Sequence, residues 1–85
     1  STEEKTPKKF ETEYVMLGFR LSEGISLGEY RLRCGGDFIS KYGERLKPFI
    51  EKKLVIKTTD GFRLSRRGML VSNYILSEIL DFDED

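Results

Sequence analysis

Residues 55–65 read VIKTTDGFRLS, and their composition is that of a β-hairpin: β-branched residues, an Asp60-Gly61 pair, then alternating apolar and polar positions. Two registers compete. A two-residue Asp60-Gly61 loop sets Phe62 and Leu64 opposite Thr59 and Lys57. A three-residue loop with Gly61 left-handed pairs Leu64 with Ile56 and Phe62 with Thr58, which gathers the apolar side chains on one face and is therefore expected. The segments before the hairpin have helical patterns, and one more helix follows it. That order predicts a small winged-helix-like α+β domain, mostly helical, with one β-hairpin at about 55–65 before the last helix.

Upstream, a helix is expected from about Lys9 to Leu21. Phe10, Tyr14, Leu17 and Leu21 form one narrow stripe at helical period, with Val15, Met16 and Phe19 on other sides. Gly24 supplies the left-handed residue that ends it. Ser26-Leu27-Gly28-Glu29 has capping-box spacing and opens a short helix toward Arg33. Cys34-Gly35-Gly36 breaks that helix, and Asp37 caps a further piece, Phe38 to Tyr42. An interruption is expected at Gly43, with a new helix carrying Leu46, Phe49, Ile50 and Leu54; Pro48 would then fall about one turn in, where a missing N–H is tolerated.

Downstream, Ser65 caps a final helix from Arg66 to Leu80. Met69, Leu70, Val71, Tyr74, Ile75, Leu76, Ile79 and Leu80 spread almost around it, leaving Asn73 and Ser77 as a narrow polar edge. The first and last helices are together more apolar than one small core needs. Either they cross at the centre of the fold, or they carry a second apolar surface made for a partner domain.

Composition narrows the function. Eighty-five residues make one domain with little room for a substrate pocket, and 38% hydrophobic with 35% charged residues describes an ordinary globular chain. No apolar run approaches the ~20 residues of a membrane span. The single cysteine, Cys34, excludes an internal disulfide and fits a cytoplasmic location. Histidine is absent, so the commonest metal ligand and general base is missing, and no catalytic constellation stands out. Residues 1–8 read as a disordered linker, 9–81 as a single accessory domain and 82–85 as an acidic tail; the whole is expected to be the last domain of a longer protein.

Net charge is zero but unevenly placed. Lys41, Arg45, Lys47, Lys52, Lys53, Lys57, Arg63, Arg66 and Arg67 face only Glu44, Glu51 and Asp60 between residues 41 and 67, while residues 78–85 hold five acids and no base. Arg45, Lys47, Lys52, Lys53, Lys57 and Arg63 would be plausible phosphate contacts for a winged helix. Against nucleic acid, the helix before the hairpin has no Asn or Gln to read adenine, and its middle holds Pro48 and Phe49.

Three blocks carry a family resemblance: MLGFRLSEGIS (16–26), RLKPFIEKKLV (45–55) and RLSRRGMLVSNYILSEIL (63–80). Together they resemble the C-terminal domain of the oxygen-independent coproporphyrinogen III oxidase family, and are most similar to its haem-chaperone-like branch. The resemblance covers about residues 10–80. It implies a parent in tetrapyrrole metabolism whose radical SAM barrel binds a [4Fe–4S] cluster and S-adenosylmethionine. It also implies that this domain packs beside the barrel and helps cover its open side, the barrel being its partner, with haem or a porphyrin as a further one. The family's C-x-x-x-C-x-x-C cluster motif is absent, so no catalytic, cofactor or metal residue is placed on this chain. The expectation is a noncatalytic accessory domain. Arg20 is expected to be an exposed or interface residue on a core helix, and Arg66 and Arg67 are candidate contacts for tetrapyrrole propionates.

Overall fold

The computed structural model describes residues 7–80. In chain order the elements are α1 (Pro7–Arg20), β1 (Ile25–Ser26), α2 (Leu27–Cys34), α3 (Phe38–Glu51), β2 (Val55–Lys57), β3 (Gly61–Leu64), α4 (Arg66–Leu70) and α5 (Ser72–Ile79). The strands form one antiparallel sheet in the order β1-β3-β2. This is the expected small, mostly helical α+β domain of winged-helix-like order. Pro7 and Lys8, expected in the linker, belong to α1, where a proline in the first turn forfeits no helical hydrogen bond. The remainder of the linker, and the acidic tail, lie outside the described residues.

The expected caps form. Ser26 accepts from the Glu29 amide at 3.3 Å, Asp37 from the Ser40 amide at 3.0 Å and Ser65 from the Gly68 amide at 3.1 Å. The Glu29 carboxylate pairs with Arg33 one turn on, at 3.3 Å. Gly24 has φ +82°, and a Cβ there would stand 2.1 Å from the Phe62 carbonyl oxygen.

Four expectations are corrected. The first is α1, whose stripe is turned outward: Phe10, Leu17 and Leu21 are exposed, and Val15 and Phe19 are the buried pair. The inward row is Glu11, Val15, Phe19 at spacing four, and a carboxylate at its head hides it from a search for apolar periodicity. Second, α3 runs unbroken through Gly43 with Pro48 inside it. Phe38, Tyr42, Leu46 and Phe49 bury along its whole length. At about 1.5–3 kcal/mol for each side chain, that burial outweighs about 1 for a helical glycine and about 3 for a proline.

Third, the hairpin takes neither register considered. Val55 pairs with Leu64, Ile56 with Arg63 and Lys57 with Phe62. The chain reverses at Thr59-Asp60, earlier than in either register, closed by the Thr58 amide donating to the Gly61 carbonyl at 2.8 Å and the Gly61 amide to Thr58 Oγ1 at 2.8 Å. Gly61 is needed for a different reason from a left-handed turn. It lies opposite Ser26 of β1, where a Cβ would fall 1.9 Å from the Ile25 carbonyl oxygen. The two-residue β1 was too short to read from sequence.

Fourth, the last helix is divided at Val71, whose amide bonds back three residues to the Gly68 carbonyl at 3.1 Å. Gly68 is pressed on the Leu54 carbonyl, 2.1 Å from where a Cβ would stand, so α4 is seated on the hairpin while α5 packs on α3. The core gathers Val15 and Phe19, the α3 row, Val55, Phe62 and Leu64 of the hairpin, and Ile75, Leu76 and Ile79 of α5. Tyr30 meets Phe38 edge-on at 5.2 Å, and Phe38 reaches Phe62 at 5.8 Å. The domain therefore has a complete core of its own, and its outward apolar residues are surplus to that core.

Candidate functional site: an outward face and a buried clasp

Two groupings of side chains stand out. The first is polar. Glu11 enters the interface of α1 with α2 and α3, its side chain only 15% exposed. Tyr30 of α2 and Tyr42 of α3 both donate to Glu11 Oε2, at 2.5 and 2.6 Å, and the Lys41 ammonium lies 2.9 Å from the same oxygen and 3.1 Å from Oε1. Burial alone would raise the carboxyl pKa, but the hydrogen bonds from Tyr30, Tyr42 and Lys41 prevail and hold it below the ordinary value. Burial, and then the neighbouring Glu11, push both phenols well above the ordinary tyrosine value. Cys34 is half-buried, and burial followed by Glu11 pushes its thiol up as well.

The shifts of Glu11, Tyr30, Tyr42 and Cys34 all run away from neutral pH. The cluster is a clasp: it fastens the first half of α1, where no side chain from Pro7 to Tyr14 is fully buried, to the two helices beneath. Sequence reasoning missed Glu11. The available signal was the row Glu11, Val15, Phe19 at successive spacings of four.

The second grouping is apolar and faces outward. Arg20, exposed at the end of α1, donates to Asn73 Oδ1 at the start of α5, at 3.2 Å. On either side of this bond apolar residues fall at matching offsets along the chain, from the end of α1 and from α4 and α5. Leu17 and Leu21 lie three before and one after Arg20; Leu70 and Tyr74 lie three before and one after Asn73. All four are exposed, at 61%, 58%, 83% and 58%. Tyr74 is held upright by an edge-on contact with Phe49 at 5.9 Å. Arg66 and Arg67, exposed on α4, precede Leu70 by about one turn. Arg20 is thus exposed beside these residues, and Arg66 and Arg67 share α4 with Leu70.

The basic middle of the chain is partly engaged within the domain. Lys41 serves Glu11, Lys47 pairs with Glu44 at 3.6 Å, Arg45 donates to the Ile79 carbonyl at 2.8 Å and Arg63 to that of Leu64 at 3.4 Å. Among the described residues no three Asp, Glu, Cys or His side chains gather closely enough to hold a metal ion. No described helix is long and apolar enough to cross a membrane.

The profile of the HemN C-terminal domain matches residues 6–71, from the head of α1 through α4. The chain belongs to the HemN C-terminal domain family. This bears out the resemblance carried by the three sequence blocks, and makes the chain a C-terminal accessory domain of the HemN-like, coproporphyrinogen-oxidase-like kind. A curated relative, the glycine–tRNA ligase beta subunit of Dictyoglomus turgidum, is 24% identical over 78 residues, which is 91% of this chain but 11% of that protein. The chain thus spans about a tenth of that relative's length. No solved structure matches it.

Proposed function

We propose that this HemN C-terminal domain is a noncatalytic docking module, which seats its outward face on the radical SAM barrel of a HemN-like parent and helps cover the barrel's open side. The carrying observation is the ring of Leu17, Leu21, Leu70 and Tyr74, exposed although the core beneath is already complete. Burying such side chains stabilises an interface by about 1.5–3 kcal/mol each. Exposed apolar residues grouped on one face mark a partner surface rather than a solvated one.

A [4Fe–4S] cluster and S-adenosylmethionine are proposed for the barrel alone. This chain's residues do not fit them: it has one cysteine and no histidine. In tetrapyrrole metabolism the domain's own contribution would be Arg66 and Arg67, whose exposed guanidinium groups suit the propionates of a haem or porphyrin. The test is spectroscopic titration of the full-length parent with haemin. Arg66→Ala with Arg67→Ala should weaken binding severalfold, and unchanged affinity removes the propionate contact from the proposal. Docking is tested separately by Leu17→Asp with Leu70→Asp, which should make the junction before α1 more sensitive to limited proteolysis.

The competing reading is a nucleic-acid-binding winged helix. It loses ground because Lys41, Arg45, Lys47 and Arg63 make hydrogen bonds or ion pairs inside the domain. The outward residues of α3 include Glu44 and Glu51, carboxylates that a phosphate backbone repels, and Pro48, whose side chain has no donor or acceptor.

A further inference from the structure

The docking face has a cation at its centre. Arg20 spends one of its five N–H donors on Asn73, a neutral side chain that orients the guanidinium without neutralising it. Among the described residues its charge meets no carboxylate, whereas Arg33, Lys41 and Lys47 each do. Four exposed apolar side chains lie within three residues of the bonded pair along the chain, Leu17 and Leu21 beside Arg20 and Leu70 and Tyr74 beside Asn73. A surface of this kind excludes water from its centre once covered, and an arginine enclosed there with no anion would be strongly unfavourable. The covering surface must therefore bring its own anion.

We propose that Arg20 is the anchor of the docking face, and that its occupant is an apolar patch of the parent chain with an Asp or Glu carboxylate at its centre. The proposal rests on the docking reading above and adds the chemistry of the partner. Asn73 is a positioning residue: it holds one guanidinium nitrogen and leaves the other donors of the planar fork for a carboxylate, which takes two parallel hydrogen bonds from such a fork. Lysine in the same position retains the charge but loses the fork.

That difference supplies the test. In the full-length parent, Arg20→Lys places an amine where the guanidinium stood. A water-soluble carbodiimide then joins it to any carboxylate in contact, forming an amide with loss of water to the reagent. Peptide mass spectrometry should find the new link between Lys at position 20 and one Asp or Glu outside residues 1–85. A link only to the acidic residues 78–85, or no link at all, overturns the proposal. Leu17→Asp in the same parent separates the two readings. If it leaves proteolysis of the domain junction unchanged, docking through this face falls. If it exposes the junction several-fold while position 20 gives no external link, docking stands and the carboxylate partner falls.

Discussion

At the scale of single residues, the clasp around Glu11 is the most consequential group in the domain. Two buried phenols and one ammonium converge on one carboxylate, so its loss leaves several donors unmet. Glu11→Gln is expected to lower stability by about 1–2 kcal/mol, since neutral hydrogen bonds replace charge-assisted ones. Urea denaturation monitored by circular dichroism would read this directly. The pH dependence has a definite sign. The folded-state pKa of Glu11 lies below its ordinary 4.5, so its contribution is complete above that value and is lost as pH falls below it. For Tyr30 and Tyr42 the folded values are raised, so their contribution is complete below the ordinary 10.0 and declines as pH rises above it. In the Gln variant the acid-side decline due to this group should vanish, and a retained slope would assign it elsewhere. Lys53 offers a simpler case. It holds φ +62° just past α3, with its amide on the Ile50 carbonyl at 3.0 Å and the Leu54 amide on the Phe49 carbonyl at 2.8 Å. These are the two bonds of a Schellman cap with its left-handed residue occupied by lysine instead of glycine. Lys53→Gly should raise stability by about 0.5–1 kcal/mol, and a decrease in the denaturation midpoint would contradict the cap.

At the scale of elements, what could be read from the sequence and what could not divide along physical lines. Caps are local chemistry, so Gly24, Ser26, Asp37 and Ser65 were readable from spacing alone. The facing of α1 was not, because a carboxylate heads its buried row and apolar residues serve two different surfaces. The hairpin register escaped because it depends on β1, a partner about 35 residues away whose pairing requires Gly61 in the strand. Likewise α3 crosses Gly43 and Pro48 because tertiary burial overrides propensity, and the Val71 break reflects the seating of Gly68 on Leu54. Arg20 lies exposed at the end of α1, and its bond to Asn73 joins residues 53 apart and has no local signature. A glycine comparison tests the sheet. Gly61→Ala would force a Cβ against the backbone of β1, whereas at Gly36 a Cβ meets nothing within 4 Å. The first substitution should cost at least about 2 kcal/mol and the second should stay within about 0.5. Equal effects in thermal denaturation would show that β1 does not press on β3 as described.

At the scale of the whole molecule, the domain separates two tasks between the faces of its helices. Inward residues complete a core; outward, the Arg20–Asn73 bond has exposed Leu17, Leu21, Leu70 and Tyr74 beside it along the chain. Substitution of the ring should therefore spare the 85-residue chain and harm only its union with the rest of a HemN-like protein. Leu17→Asp with Leu70→Asp should shift the stability of the isolated chain by no more than about 0.5 kcal/mol for each exposed site. A larger loss in urea denaturation would mean that the ring serves the core after all. The most direct measurement of docking is hydroxyl-radical footprinting of Leu17, Leu21, Leu70 and Tyr74 in the isolated chain and in the full-length parent. Leu32, 82% exposed on α2, serves as the internal reference. Docking through this face predicts that the four residues are modified several-fold more slowly in the parent while Leu32 is unchanged. Equal modification of the ring in both proteins would contradict it.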